Sequence, residues 1–290
     1  ENGGSKMYPI LDQYQREGYR SLLKIAEKWN GAFLCDGVGL GKTYVGLMII
    51  ERLVTQERKR VLLLSPKSAT EAVWKTELKK RLPNLFGEFS NLAVYSHTDL
   101  LRIGEVEDKL NSVQQEADVV IIDEAHHFRN EKKGGRYRRL FEIIGDKTVY
   151  MLTATPINNS VQDLRNMIYL FSRKRDNYFA TPPLGIHNLK GHFMSLKRKL
   201  NELVDEHTPE GTKVTPASDP QDERDLEGVS GVREALEADP LFKEIIVQRS
   251  RKYVKESQKL HGGGQKVEFP EPQMPRVHDY DLAKTYGPLL

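Results

Sequence analysis

Apolar positions along residues 13–171 fall into two alternating patterns. Over 13–29, Leu22, Leu23, Ile25, Ala26 and Trp29 recur at helical spacing, and Asn30-Gly31 supplies a stop. The short run AFLC (32–35) leads into a glycine-rich turn, and 42–54 again has the spacing of a helix. VLLL (61–64) predicts a buried strand ending at Ser65-Pro66, followed by a helix over 69–81 and a strand at LAVYS (92–96). ADVVIID (117–123) is the most continuous apolar run of the chain. A helix over 136–145, a strand at TVYMLT (148–153) and a helix over 161–171 complete the series. Several strands are apolar on both faces, so neither face can meet water. Alternation with helices then predicts an α/β fold, a parallel sheet covered by helices on both sides.

Beyond about residue 172 the pattern turns helical and loop-rich, and Gly262-Gly263-Gly264 followed by Pro270, Pro272 and Pro275 reads as an interdomain linker. The expected organisation is an N-terminal segment (1–30), a core (31–172), a helical extension (173–260) and a linker (261–290). With 290 residues, the chain has the length of about two domains or one large one with insertions. No apolar run approaches the ~18 residues of a membrane span, and ENGGSKMYPILD at the start lacks the apolar stretch of a signal peptide. The chain opens without an initiating Met, as a processed product or an expressed piece does. The single cysteine, Cys35, excludes an internal disulfide and, with eight scattered histidines, argues against structural zinc. The expected setting is reducing and intracellular, in the cytoplasm, nucleoid or nucleus.

Charge changes the picture. The chain totals +3, yet residues 204–239 hold eleven Asp/Glu against three Lys/Arg, a local −8 that leaves +11 on the remainder. Poor in large apolar residues and punctuated by Pro209, Pro216 and Pro220, this stretch is expected to be a mobile surface insert, either simply solvated or screening a basic surface.

Two motifs carry chemistry. DGVGLGKT (36–43) has Asp36 where a strict G-x-x-x-x-G-K-[ST] pattern has its first glycine. Gly37, Gly39 and Gly41 still permit a tight loop, with Val38 and Leu40 between them, whose backbone N–H groups turn inward on a phosphate. Lys42 is suited to the β- and γ-phosphates and Thr43 to Mg²⁺, and the following helix presents its positive dipole end. VVIIDEAH (119–126) ends a buried strand in two carboxylates, at the sheet edge where open α/β sheets bind ligands. Asp123 is suited to hold Mg²⁺ and Glu124 to orient or deprotonate the attacking water. Together with Lys42 they form a minimal clamp for nucleoside triphosphate hydrolysis. His126 and His127 are adjacent, point different ways and have no second ligand cluster beside them in sequence, which speaks against a metal there.

DGVGLGKT, DEAH (123–126) and LTATPINNS (152–160) stand in the order and spacing of superfamily-two helicases, and the chain most resembles the Swi/Snf-type double-stranded DNA translocases, through the first RecA-like lobe. LDQYQREG (11–18) is similar to that family's LRPYQLEG, which implies that Gln15 reads adenine, its amide donating and accepting at once. VLLLSPKSATEAVWKTEL (61–78) resembles the segment lying along a nucleic-acid backbone, making Ser65, Lys67 and Ser68 candidate phosphate contacts. Trp74 in that stretch reads as core rather than as a base-stacking platform. YSHTDL (95–100) is similar to a second such motif, with Ser96 the candidate. DEAHHFRN matches DEAH-x-x-K-N with Arg129 in place of Lys. The resemblance places His126, Thr153, Ala154 and Thr155 on the path that couples the triphosphate site to the nucleic-acid track. QRSRKYV (248–254) is similar to the basic stretch closing the first lobe, and KVEFPEPQMPR (266–276) to the linker beyond it. Departures are Ala154 and Asn158, where the family usually has LTGTPIQN, Gly37 for an Asp and His97 for a Tyr; LTATP also occurs in restriction-type motors.

The resemblance implies ATP and Mg²⁺ as cofactors, duplex DNA as partner and a second RecA-like lobe that completes the site. Too few residues follow the basic stretch for that lobe, so this chain is expected to bind ATP and hydrolyse it poorly. Arg129, Lys132, Lys133, Arg136, Arg138 and Arg139 form one basic cluster, Lys197, Arg198 and Lys199 a second, and Arg249, Arg251 and Lys252 a third. Tyr137 is the sole aromatic of the first, so backbone electrostatics rather than base stacking is the expected mode. A strand-separating DNA or RNA helicase, a restriction-type motor and a nucleotide-gated DNA-binding switch without productive turnover are the alternatives.

Overall fold

The structure is a computed structural model that describes residues 4–85, 90–131, 135–154, 156–157, 161–207, 231 and 234–261. Six parallel strands make one sheet in the order β3-β2-β4-β5-β1-β6. They are β1 (Gly31–Leu34), β2 (Val61–Ser65), β3 (Leu92–Ser96), β4 (Val119–Asp123), β5 (Thr148–Leu152) and β6 (Ile246–Val247). β2 and β4 are buried along their whole length, as their unbroken apolar runs require. Alternate residues feed two cores. Leu62, Leu64, Val120 and Ile122 face one side, with α6 (Gly135–Ile144), α7 (Val161–Ser172), α8 (Leu189–His207) and α9 (Pro240–Ile245). Val61, Leu63, Val119 and Ile121 face the other, with α1 (Gln13–Trp29) and α2 (Lys42–Glu51). The parallel sheet covered on both faces is the α/β architecture expected from the pattern.

The N-terminal segment is part of this core. Met7, Leu11, Tyr19, Leu22 and Ala26 pack into the same cluster as α2. The buried Glu51 carboxylate at the end of α2 accepts bonds from Ser5 Oγ (2.6 Å) and from the backbone N–H groups of Lys6 (2.7 Å) and Met7 (3.1 Å). α1 starts at a capping box in which Asp12 N–H donates to Gln15 Oε1 at 3.0 Å, and it ends at Asn30 in the left-handed region.

Several elements differ from the expectation. The helix over 69–81 begins earlier and contains a π-helical turn: α3 (Lys67–Ala69), the turn (Thr70–Lys75) and α4 (Thr76–Arg81) run on as one segment. The helix from Lys42 likewise passes into a π turn at Arg52–Gln56. α5 (Glu105–Glu116) was not foreseen, because its sequence is largely polar and only Leu110 is buried. β6 is too short for any periodicity; it exists because Ile246 and Val247 pair with Phe33 and Leu34 of β1. α10 (Arg251–His261) follows it. Most of the acidic stretch 204–239, and the linker from 262 onward, lie outside the described residues.

Candidate nucleotide site

All strands are parallel, so the segments after β1, β4 and β5 emerge at one edge of the sheet, and β5 stands between the other two. The glycine-rich loop follows β1. Gly39 (φ 81°) and Gly41 (φ 76°) are left-handed, which glycine adopts without strain. Gly41 also has a packing reason, since a Cβ there lies 2.3 Å from Gln15 Nε2. Gly37 has neither constraint: its φ is ordinary, and the nearest atom to a Cβ is Leu40 Cδ1 at 3.8 Å. Gly41 caps α2, whose first amides have no carbonyl one turn back and open toward the loop. Lys42 Nζ donates to the carbonyls of Asp36 (3.0 Å) and Gly37 (3.5 Å), which holds its charge over the loop. Thr43 follows in the first turn, half-buried, and Val38 stands out into solvent.

Residues of α1 fix the loop from behind. The Leu40 carbonyl accepts from Tyr14 Oη (3.1 Å) and from Gln15 Nε2 (3.3 Å). Burial raises the Tyr14 phenol to about 12, so it stays a donor. Gln15 is buried with its amide spread over Asp12, Tyr14 and Leu40, directly against the glycine-rich loop. The Cys35 thiol, fully buried before the loop, is pushed up by desolvation and is inert.

Asp123 closes β4 in register with Leu152 of β5. Its Oδ2 accepts from Trp74 Nε1 at 2.7 Å and its Oδ1 from the Glu124 N–H at 3.0 Å. Burial raises its pKa, against the indole bond and the Lys42 charge, which favour ionisation. Glu124 sits in the left-handed region (φ 47°, ψ 50°), a strained place for a residue with a Cβ. His126 Nδ1 stands 3.1 Å from both Glu124 Oε2 and Thr153 Oγ1. Its hydrogen bond is the largest influence lowering the Glu124 pKa, with Lys42 adding to it, so Glu124 is ionised at neutral pH. Thr153 is buried after β5, its N–H donating to the Leu34 carbonyl at 3.0 Å. The strand ends thus join Lys42, Asp123, Glu124, His126 and Thr153, with Ala154 next in chain; Thr155 lies outside the described residues. Oxygen donors from Asp123 and Thr43 suit a hard cation such as Mg²⁺, and the glycine turns suit a polyphosphate.

The candidate nucleic-acid residues lie at the ends of the neighbouring strands β2 and β3 and after β4. Lys67 and Ser68 are exposed at the start of α3. Ser65 and Ser96 are buried, with their hydroxyls engaged by Thr70 Oγ1 (2.8 Å) and Asp99 Oδ2 (2.7 Å). Arg129 is half-buried just beyond the DEAH turn, its carbonyl accepting from Asn166 Nδ2 at 2.7 Å. In the first basic cluster, Arg138 is exposed, Arg139 stitches α6 to α5 through Gln114 and Asn111, and Lys132 and Lys133 lie outside the described residues. Lys197, Arg198 and Lys199 are exposed on α8.

Arg249 corrects the third cluster. It is no surface residue: its side chain is 8% exposed and paired with the fully buried Asp36. The charge run in sequence gave no sign of this, because its partner stands 213 residues away. Three further contributors escaped the sequence reading of the site. Trp74 is core, as read, but it also orients Asp123. Tyr14 holds Leu40. His97, buried beside His127 and Phe128, has its pKa driven by desolvation down to about 3. An indole and a phenol within apolar patterns are the only sequence signals these first two left.

Comparison with known proteins accords with this geometry. The chain is 33% identical over 155 residues to an uncharacterized ATP-dependent helicase YqhH of Bacillus subtilis (strain 168), covering 51% of this chain and 27% of that protein. It is 27% identical over 171 residues to the ISWI chromatin-remodeling complex ATPase ISW2 of Saccharomyces cerevisiae, covering 53% of this chain and 15% of that one. The chain therefore spans about a quarter or less of these relatives. In fold it is similar to the Sulfolobus solfataricus SWI2/SNF2 ATPase core domain, with a TM-score of 0.52 and 19% identity over 84% of this chain and 44% of that one. A family model described as type III restriction enzyme, res subunit, matches residues 9–158, from the Gln15 segment through LTATPIN. That match takes in more than half of the 290 residues, so the chain belongs to this family.

Proposed function

We propose that this chain is the ATP-binding lobe of an ATP-dependent double-stranded DNA translocase, hydrolysing ATP when a second RecA-like lobe completes the site. The observation that carries this reading is the meeting of Lys42 with Asp123 and Glu124 at one sheet edge, where the lysine charge acts on both carboxyls. Gly37 to Thr43 cradle the phosphates, and Gln15, whose amide is engaged here by Asp12, Tyr14 and Leu40, reads the adenine edge by exchanging those bonds. Asp123 and Thr43 would hold Mg²⁺, which when bound would neutralise phosphate charge. Glu124 is aimed by its left-handed backbone and kept ionised by His126, so it can orient a water and accept its proton. His126 touches both Glu124 and Thr153, which gives the triphosphate site a physical link to the end of β5.

Lys67, Ser68 and Arg129 supply sequence-independent phosphate contacts for the duplex, with Ser65 and Ser96 shaping the turns beneath them. The name of the family and Ala154 in LTATPINNS favour a restriction-type motor as the second reading. The test is the ATPase rate of the full-length parent with no nucleic acid, duplex DNA, single-stranded DNA or duplex RNA. Selective stimulation by duplex DNA is expected. Stimulation by single strands or RNA replaces the translocase with a strand-separating helicase. No stimulation by any of them leaves a nucleotide-gated switch. Robust turnover by the present chain alone overturns the two-lobe requirement.

A further inference from the structure

We propose that Arg249 is a positioning residue for the nucleotide site, and that through it the docking of α10 and the shape of the phosphate loop are one coupled equilibrium. This deepens the ATP-binding reading and rests on it.

The loop begins at Asp36, whose carboxylate is wholly buried. Asp36 Oδ1 accepts from the backbone N–H and from Nε of Arg249, each at 3.0 Å, and Oδ2 accepts from Nη2. The contact is therefore a bidentate fork plus a main-chain bond, the geometry that fixes direction as well as distance. The guanidinium lies over the Tyr14 ring (5.3 Å to the centroid), and Tyr14 itself holds the Leu40 carbonyl. Gly18 of α1 makes room for it, since a Cβ there falls 2.2 Å from Arg249 Nη1. Two residues upstream, the Val247 carbonyl accepts from the Cys35 N–H at 2.7 Å, continuing the β6–β1 ladder into the loop. Five residues downstream, Val254 of α10 is fully buried against Tyr14 and Leu40, in a small core separate from the two main ones. Both ends of the phosphate loop, Asp36 and Leu40, are thus held by one short segment, 247–254.

Stability alone does not explain this arrangement. A buried ion pair is poor evidence of net stabilisation, because desolvation offsets the attraction. Arg249 Nη1 is moreover buried with no hydrogen-bond partner among the described residues. What the pair does supply is a fixed attitude for the peptide that opens the loop. Lys42 Nζ rests on the carbonyl of Asp36 itself, so a shift of that residue moves the lysine as well. Linkage then requires reciprocity: if docking of 247–261 orders the loop for ATP, ATP must tighten that docking by the same factor.

The experiment measures ATP binding by calorimetry together with amide hydrogen exchange. Wild type is compared with Lys42→Ala to test the binding reading. Arg249→Lys, which keeps the charge and loses the fork, is expected to bind ATP about tenfold more weakly, within the usual range of coupling. Because that variant risks unfolding, the decisive reading is on wild type. Saturating ATP is expected to slow exchange in α10 about tenfold relative to α6, and Asp36→Asn to abolish that difference. Normal ATP affinity in a folded Arg249→Lys variant overturns the proposal, as does α10 exchange that does not respond to ATP. Failure of wild type to bind ATP any better than Lys42→Ala overturns the nucleotide reading, and this inference with it.

Discussion

Gly46→Ala sets two well-measured effects against each other. Gly46 lies in the middle of α2, where replacing glycine by alanine ordinarily stabilises a helix by about 1 kcal/mol. Here the new Cβ falls 2.7 Å from Trp74 Cη2 and 3.0 Å from Leu152 Cδ1. Trp74 is fully buried, and its indole cannot slide away without loosening the 2.7 Å bond to Asp123. Overpacking of this kind costs about 1–3 kcal/mol, and weakening a bond to a charged acceptor adds about 1 kcal/mol or more. The expected net effect is destabilisation by about 1–3 kcal/mol, read as a lower midpoint in urea unfolding at unchanged slope. Trp74→Phe removes Cη2 and Cζ3, the atoms in the way. In that background Gly46→Ala is expected to be neutral or to stabilise by up to about 1 kcal/mol, so the pair couples by about 2 kcal/mol. A rise in stability of about 1 kcal/mol for Gly46→Ala in the wild-type background refutes the reasoning, because propensity alone then governs the site.

Other outcomes follow from the same geometry. Lys42→Ala is expected to weaken ATP binding about 100-fold or more in calorimetry, the equivalent of about 3 kcal/mol of charge-assisted contact. Glu124→Gln is expected to bind ATP like wild type, and in the two-lobed parent to accumulate bound ATP in single-turnover experiments; lost binding removes the general-base assignment. If Lys67 grips a phosphate, Lys67→Ala lowers duplex DNA affinity uniformly across sequences and reduces the salt slope by about one. His97 remains neutral in the fold down to about pH 3 but takes up a proton near the ordinary 6.5 when unfolded. Its contribution is therefore complete above pH 6.5 and falls as the pH drops toward 3, by roughly 2 kcal/mol between pH 7 and pH 5. His97→Phe is expected to flatten that part of the pH–stability curve, and an unchanged curve shows that another group titrates.

Sequence alone went far on everything encoded locally. The strands at 61–65, 119–123 and 148–152 are legible because a two-sided buried strand must be a continuous apolar run, and 92–96 is legible as a short, half-buried edge strand. The glycine-rich loop is legible because left-handed turns at positions 39 and 41 need glycine, and the carboxylates because a strand end is where chain chemistry meets solvent. Local pattern could not reveal α5, whose polar surface hides a single buried leucine, or β6, which is a strand only through its partner.

What the sequence determined by itself is the class of sheet and the placement of Lys42, Asp123 and Glu124 at its edge, since periodicity and turn chemistry act over a few residues. Only the tertiary structure decided how those groups are held. Asp36 meets Arg249 across 213 residues, Asp123 meets Trp74 across 49, and His126 meets Thr153 across 27. A run of basic residues reads the same whether it faces solvent or a buried carboxylate, and an indole reads the same whether it only fills space or also donates. The difference lies in desolvation and in the direction of a hydrogen bond, and both exist only once distant segments have packed together.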